Sequence, residues 1–77
     1  MSWNYRVIKE TIGEEECYEI HEVYYNDKGF IESWVESPAD PYGETLEELR
    51  SDIQFMLEAL DKPILEKVGE GLLEVKK

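Results

Sequence analysis

Gly43-Glu44-Thr45-Leu46-Glu47-Glu48-Leu49, continued by an apolar series and closed by Asp61-Lys62-Pro63, is a helix written with its own start and stop. Thr45 is a good N-cap, and Glu48 three residues on is the reciprocal member of a capping box. Glu47 and Glu48 also meet the positive end of the helix dipole. Leu46, Leu49, Ile53, Met56, Leu57 and Leu60 recur at helical spacing as one stripe, with Glu47, Arg50, Asp52, Gln54 and Glu58 on the opposite side. Pro63 disfavours helical backbone at Lys62, so the spacing predicts a helix over 45–61 whose stripe lies on a sheet. One helix covers one face of a sheet, which leaves the other face to a partner, a lid or water.

Working back from the helix, the chain reads as strand. Trp3 to Lys9 alternates large apolar with polar residues, with Trp3, Tyr5 and Val7 on one face. Thr11 to Glu16 reads as a connection, with Gly13 for the turn and Glu14, Glu15 and Glu16 repelling one another into solvent. Cys17 to Tyr25 carries bulk on both faces, and Asn26-Asp27-Lys28-Gly29 is a hairpin turn returning through Phe30 to Ser37. Pro38, Pro41 and Gly43 exclude a central strand over 37–43, which becomes the crossing to the helix. Beyond Pro63, residues 64–77 read as a flexible tail or an edge strand.

Seventy-seven residues make one domain, spanning 1–77, with 42% hydrophobic residues to build a core. The net charge of −11 comes from 8 basic and 19 acidic residues, and residues 10–61 hold 16 of the acids against only Lys28 and Arg50. Binding to phosphate backbones draws on Lys and Arg displacing counterions, so this acid shell opposes direct nucleic-acid binding and steers basic partners inward. No apolar run reaches the length of a membrane span. A lone Cys17 forms no internal disulfide, and Met1 to Arg6 enters strand pattern without an apolar leader, so a reducing cytoplasm is the expected location.

Candidate chemistry is sparse. Cys17 and His21 share a strand face, but four residues of strand separate them by about 13 Å, too far for a nucleophile and its base. The carboxylate pairs Glu32 and Glu36, and Asp40 and Glu44, lack the spacing of a divalent-ion loop. The expectation is therefore no catalytic residue, no metal ligand and no cofactor. Aromatic residues are the more telling set, because Tyr24, Tyr25, Phe30 and Trp34 cannot all point at one helix. These four are the candidate partner-contact residues, of the types enriched at interface hot spots.

The segment Gly43-Glu44-Thr45-Leu46-Glu47-Glu48-Leu49 resembles the Gly-x-Thr-x-Glu-Glu-Ala segment of HicB-like antitoxin domains, where it likewise follows strands and opens the main helix. The order of a first strand at Tyr5-Arg6-Val7-Ile8, a hairpin around Asn26-Asp27-Lys28-Gly29 and then the helix is similar too, so the likeness covers residues 3–62. Ser37-Pro38-Ala39-Asp40-Pro41 departs from that family's Pro-Glu-Leu-Pro-Gly-like segment, and no DNA-binding module follows the helix. The resemblance implies a degraded RNase H-like βββα fold without nuclease residues, and a module that masks a small basic toxin.

Together these readings predict an α+β domain with a three-stranded antiparallel sheet in β-β-β-α order, a fourth strand from the tail as an option, and the helix packed on one face. They predict a non-enzymatic interaction protein that forms a homodimer, binds a basic protein partner, or both. The competing readings are a small hydrolase or nuclease using a carboxylate-bound divalent ion, and an orphan domain.

Overall fold

The computed structural model of the chain describes residues 2–75. Its elements are β1 (Ser2–Ile12), β2 (Glu15–Tyr25), β3 (Ile31–Trp34), α1 (Leu46–Glu58) with a 3-10 turn over Ala59–Asp61, β4 (Leu65–Val68) and β5 (Gly71–Glu74). They form one α+β unit with a five-stranded sheet in the order β3-β2-β1-β4-β5. Neighbours pair antiparallel except β4, which runs parallel to β1 through Ile8 and Leu65.

This corrects the three-stranded antiparallel β-β-β-α arrangement. The segment read as a flexible tail or single edge strand supplies a hairpin of two strands, and the sheet is mixed. Met1 and the last two residues of that 64–77 segment lie outside the described residues. The physical reason is burial: Leu65 is fully enclosed with Ile8 and Val23, so the segment completes a core that three strands would leave open.

Each face of the sheet has its own cluster. Tyr5 and Val7 meet Met56 and Ala59 under the helix, with Ile20, Ala39 and Ile64 at the margin. On the reverse face Ile8, Val23 and Leu65 are ringed by Tyr25, Ile31, Trp34 and Leu72. Arg6 is buried on that side as a clasp: its guanidinium donates to Tyr25 Oη at 2.9 Å and to the Pro63 carbonyl at 2.6 Å, and lies 3.6 Å from Glu74 Oε1. Tyr25 in turn donates to Asn4 Oδ1 at 2.7 Å. The charge is thus compensated and ties β1 to β2, to the entry of β4 and to β5.

The first two strands run further than the sequence pattern indicates, pairing out to Ile12 and Glu15, so the connection shrinks to Gly13 and Glu14. Gly13 takes φ of 65°, which a Cβ would disfavour. The turn at 26–29 forms as its residues dictate, with Asn26 Oδ1 accepting from the backbone of Lys28 at 2.9 Å and Phe30 at 3.1 Å. The return strand is short, ending at Trp34, after which Val35 and Ala39 still donate to the Glu22 and Ile20 carbonyls along β2.

The helix begins where the capping residues place it. Thr45 Oγ1 accepts from Glu48 N at 3.1 Å, while the Glu48 carboxylate reaches Glu44 N at 3.4 Å, closing the box one residue early. Its rotation is the second correction. Asp52, assigned to the solvent side, faces the sheet with Met56 and Ala59, whereas Leu46, Ile53, Leu57 and Leu60 turn outward. Asp52 Oδ1 accepts from the Tyr5 phenol at 2.5 Å and Oδ2 from Tyr42 N at 2.9 Å, and these two bonds hold the helix about its axis.

Candidate functional site

The outward face of α1 is the most unusual surface of the molecule. Leu46, Ile53 and Leu57 of α1, with Leu60 of the 3-10 turn that follows, are 72%, 48%, 55% and 61% exposed on one side. At 100° per residue, Leu46, Ile53 and Leu60 follow one another at steps of seven residues with Leu57 beside them, about a quarter-turn or more from the Asp52–Met56–Ala59 side. The line continues past the helix into a shallow groove bounded by Leu60, Pro63, Ile64 and Val75 together with the charged Asp61 and Lys62. Scattered exposed apolar residues need no explanation, but four on one side beside a groove form a contiguous apolar strip of the kind enriched at interaction surfaces.

A second concavity opens on the other flank of α1. Phe55 and Glu58 of the helix face Trp3, Asn4 and Tyr5 of β1 across a cleft of about 380 Å³, with Lys62 at its rim. Trp3 stands edge-on to Tyr5, with centroids 5.2 Å apart at 89°, and lies 6.3 Å from Tyr24. Burial and the bond to Asp52 push the Tyr5 phenol well above its usual titration range, so this wall stays neutral. The bond from Tyr24 to Glu22 at 3.0 Å similarly raises the Tyr24 phenol.

The four aromatic candidates do not form one patch. Tyr24 lies on the helix side of β2 against Trp3, half-buried. Tyr25 and Trp34 pack on the reverse face, where the Tyr25 hydroxyl is bound to Arg6 and Asn4 and the buried Trp34 Nε1 has no partner among the described residues. Phe30 stands apart at the hairpin turn, 66% exposed. Strand alternation separated Tyr24 from Tyr25 as the sequence requires, and the bulge between Tyr24 and Tyr25 in the β2–β3 pairing sets the register that places Trp34 opposite Val23.

The outward stripe itself was legible as an apolar stripe, but its exposure was not, since periodicity reports that a face exists and not what it meets. Cys17 and His21 share a strand face as read, with Glu19 between them. Burial first, then the carboxylates of Glu19, Glu10 and Glu15, push the Cys17 thiol up, so it is a poor nucleophile as it stands. Of the carboxylates, Glu36 is engaged by Lys67 at 2.8 Å.

Comparison with protein-family models, with curated proteins and with solved structures finds no match to this chain. Among the described residues no helix is long and apolar enough to cross a membrane.

Proposed function

We propose that this chain is a non-enzymatic protein-interaction module, HicB-like and antitoxin-like in character, that pairs with a second copy through the outward face of α1 and offers its acid shell to a small basic protein. The observation that carries the reading is the exposed line of Leu46, Ile53 and Leu60. It is symmetric about Ile53, seven residues lying on either side. A two-fold axis through Ile53 therefore sets Leu46 of one copy against Leu60 of the other, a self-complementary contact of the kind closed dimers use. Leu57 and the groove at Pro63, Ile64 and Val75 widen the same strip.

Charge supports the second half of the reading. A net charge of −11 makes two copies repel, so the apolar strip must act against that field, while a basic protein is drawn to it. Sedimentation equilibrium over micromolar to submillimolar concentrations tests the pairing. A dimer is expected that tightens with added salt, because salt screens the like charges, and that Ile53→Glu converts to monomer with an unchanged circular dichroism spectrum. A wild-type monomer throughout, or a dimer indifferent to Ile53→Glu, overturns it. For the basic partner, the protein encoded beside this one is co-expressed; a salt-sensitive complex supports the antitoxin-like reading and its absence removes it.

A further inference from the structure

The sheet has a gap beside the first residues of β1. β2 pairs with β1 along its whole length, whereas β4 pairs with it only at Ile8 and Lys9. Beside Ser2 to Tyr5 one flank of β1 therefore has no strand, and among the described residues no backbone hydrogen bond reaches it from the 59–64 segment. The cleft under Phe55 and Glu58 runs along this flank. Its lining includes Trp3, Asn4 and Tyr5 in succession, although the Asn4 side chain lies on the reverse face, where Tyr25 donates to it. Successive strand side chains alternate faces, so what Asn4 offers the cleft is the edge of the strand itself. An unpaired edge of this kind is a template for an extended segment of another chain.

The chemistry around the edge selects what that segment carries. Trp3 and Phe55 line the cleft while 51% and 60% exposed, and Trp3 is braced edge-on by Tyr5. Glu58 beside them makes no ion pair or hydrogen bond among the described residues. The last turn of α1 and the 3-10 turn after it hold Glu58 and Asp61 and no basic residue, so the negative end of the helix dipole has no cation of its own there. Aromatic rings, an unpaired carboxylate and the negative end of a helix together favour a cation. A guanidinium is the planar cation that stacks on a ring while it pairs with a carboxylate. Lys62 at the rim makes no ion pair among the described residues, so its long side chain is free to turn out to water.

We propose that this cleft takes an arginine side chain from an extended segment of the basic partner, whose main chain adds to the open edge of β1 at Ser2 to Tyr5. The inference rests on the basic-partner half of the function proposed above and names the place on the acid shell where that partner is held. The guanidinium stacks against Trp3 and Phe55 and pairs with the Glu58 carboxylate, while Lys62 swings outward. A cleft of about 380 Å³ is at the lower end of the volumes that small ligand groups fill. It lies on the other flank of α1 from Leu46 and Ile53, so partner binding and the pairing of two copies do not compete for one surface.

The test uses the full chain and a capped valine-arginine-valine tripeptide, followed by NMR at the indole N–H resonances of the two tryptophans and at the backbone amides. The Trp3 indole and the amides of Ser2 to Tyr5 are expected to move saturably with peptide, and the Trp34 indole, packed on the reverse face, to stay. Citrulline, the uncharged isostere, in place of arginine should weaken binding by about tenfold. Glu58→Gln should weaken it severalfold, Trp3→Ala should remove it as read from the amides, and Lys62→Ala should tighten it. Trp3 and Glu58 are exposed, and the unfolding temperature of each variant checks that it folds. Absence of a saturable shift at Trp3, unmoved amides over Ser2 to Tyr5, equal binding of the citrulline peptide, or binding unchanged in Glu58→Gln overturns the proposal. Co-expression with the neighbouring protein separates it from the reading on which it rests. A complex that forms and survives Trp3→Ala overturns the cleft alone, whereas arginine-selective peptide binding without any complex upholds the cleft and removes the neighbour as its source.

Discussion

The Tyr5 phenol donates to Asp52 Oδ1 at 2.5 Å across 47 residues of chain, and it is the bond that decides which side of α1 meets the sheet. Because the other oxygen of the same carboxylate accepts from Tyr42 N, one side chain joins the sheet, the helix and the crossing segment.

Tyr5→Phe removes that donor and is expected to cost about 1–2 kcal/mol in urea unfolding; Asp52→Ala, which strands the buried phenol and gives the exposed Tyr42 N–H to water, should cost about 1–3 kcal/mol. The same bond gives an alkaline signature. Tyr5 titrates above its ordinary value of 10.0 in the folded chain, chiefly through burial and then through Asp52. Above that value the unfolded chain loses the proton while the folded chain keeps it, so the unfolded state binds fewer protons and stability falls as pH rises. The contribution is complete below about pH 10, and the decline above it should be shallower in Tyr5→Phe, as read from urea midpoints.

Met56 and Ile53 are three residues apart on one helix, yet Met56 is buried and Ile53 stands half in water. Met56→Ala should cost about 2–5 kcal/mol, whereas Ile53→Ala should cost well under half as much in the monomer. Equal losses in chemical denaturation at low protein concentration would place the helix in the rotation that periodicity alone suggests.

Gly43 abuts the first turn of α1 so closely that a Cβ there would run into Leu49 N and lie 2.7 Å from the Glu48 carbonyl carbon. Backbone cannot yield as a side chain can. Gly43→Ala is therefore expected to destabilise by about 1–3 kcal/mol in a thermal or urea melt.

Local chemistry was legible and tertiary choice was not. The Thr45 cap, the Asn26 turn and the strand alternation of Trp3 to Lys9 each act within a few residues, and each appears where the sequence sets it. The 45–61 helix likewise ends in a 3-10 turn at Asp61 before Pro63. Helix rotation was hidden because Asp52 reads as a solvent residue until Tyr5 and Tyr42 are beside it. The strands at 65–68 and 71–74 were hidden because four residues show little periodicity, and the partner of the first of them is 57 residues upstream, Ile8 for Leu65. The cleft along Trp3 to Tyr5 needed the β1–β4 register, which leaves that stretch of β1 without a second neighbour.

The parallel seam between β1 and β4 has a bearing on how the molecule is made. Of these five strands the first to be synthesised is the middle of the sheet, and one of its flanks is closed only by residues 65–74. Until those emerge, Ile8 and Val23 face water beside an open row of backbone donors and acceptors, a template to which any extended chain can add. Such long-range closure slows folding relative to hairpin formation, and the cluster of glutamates at the ribbon tip keeps nascent copies apart by repulsion during that interval.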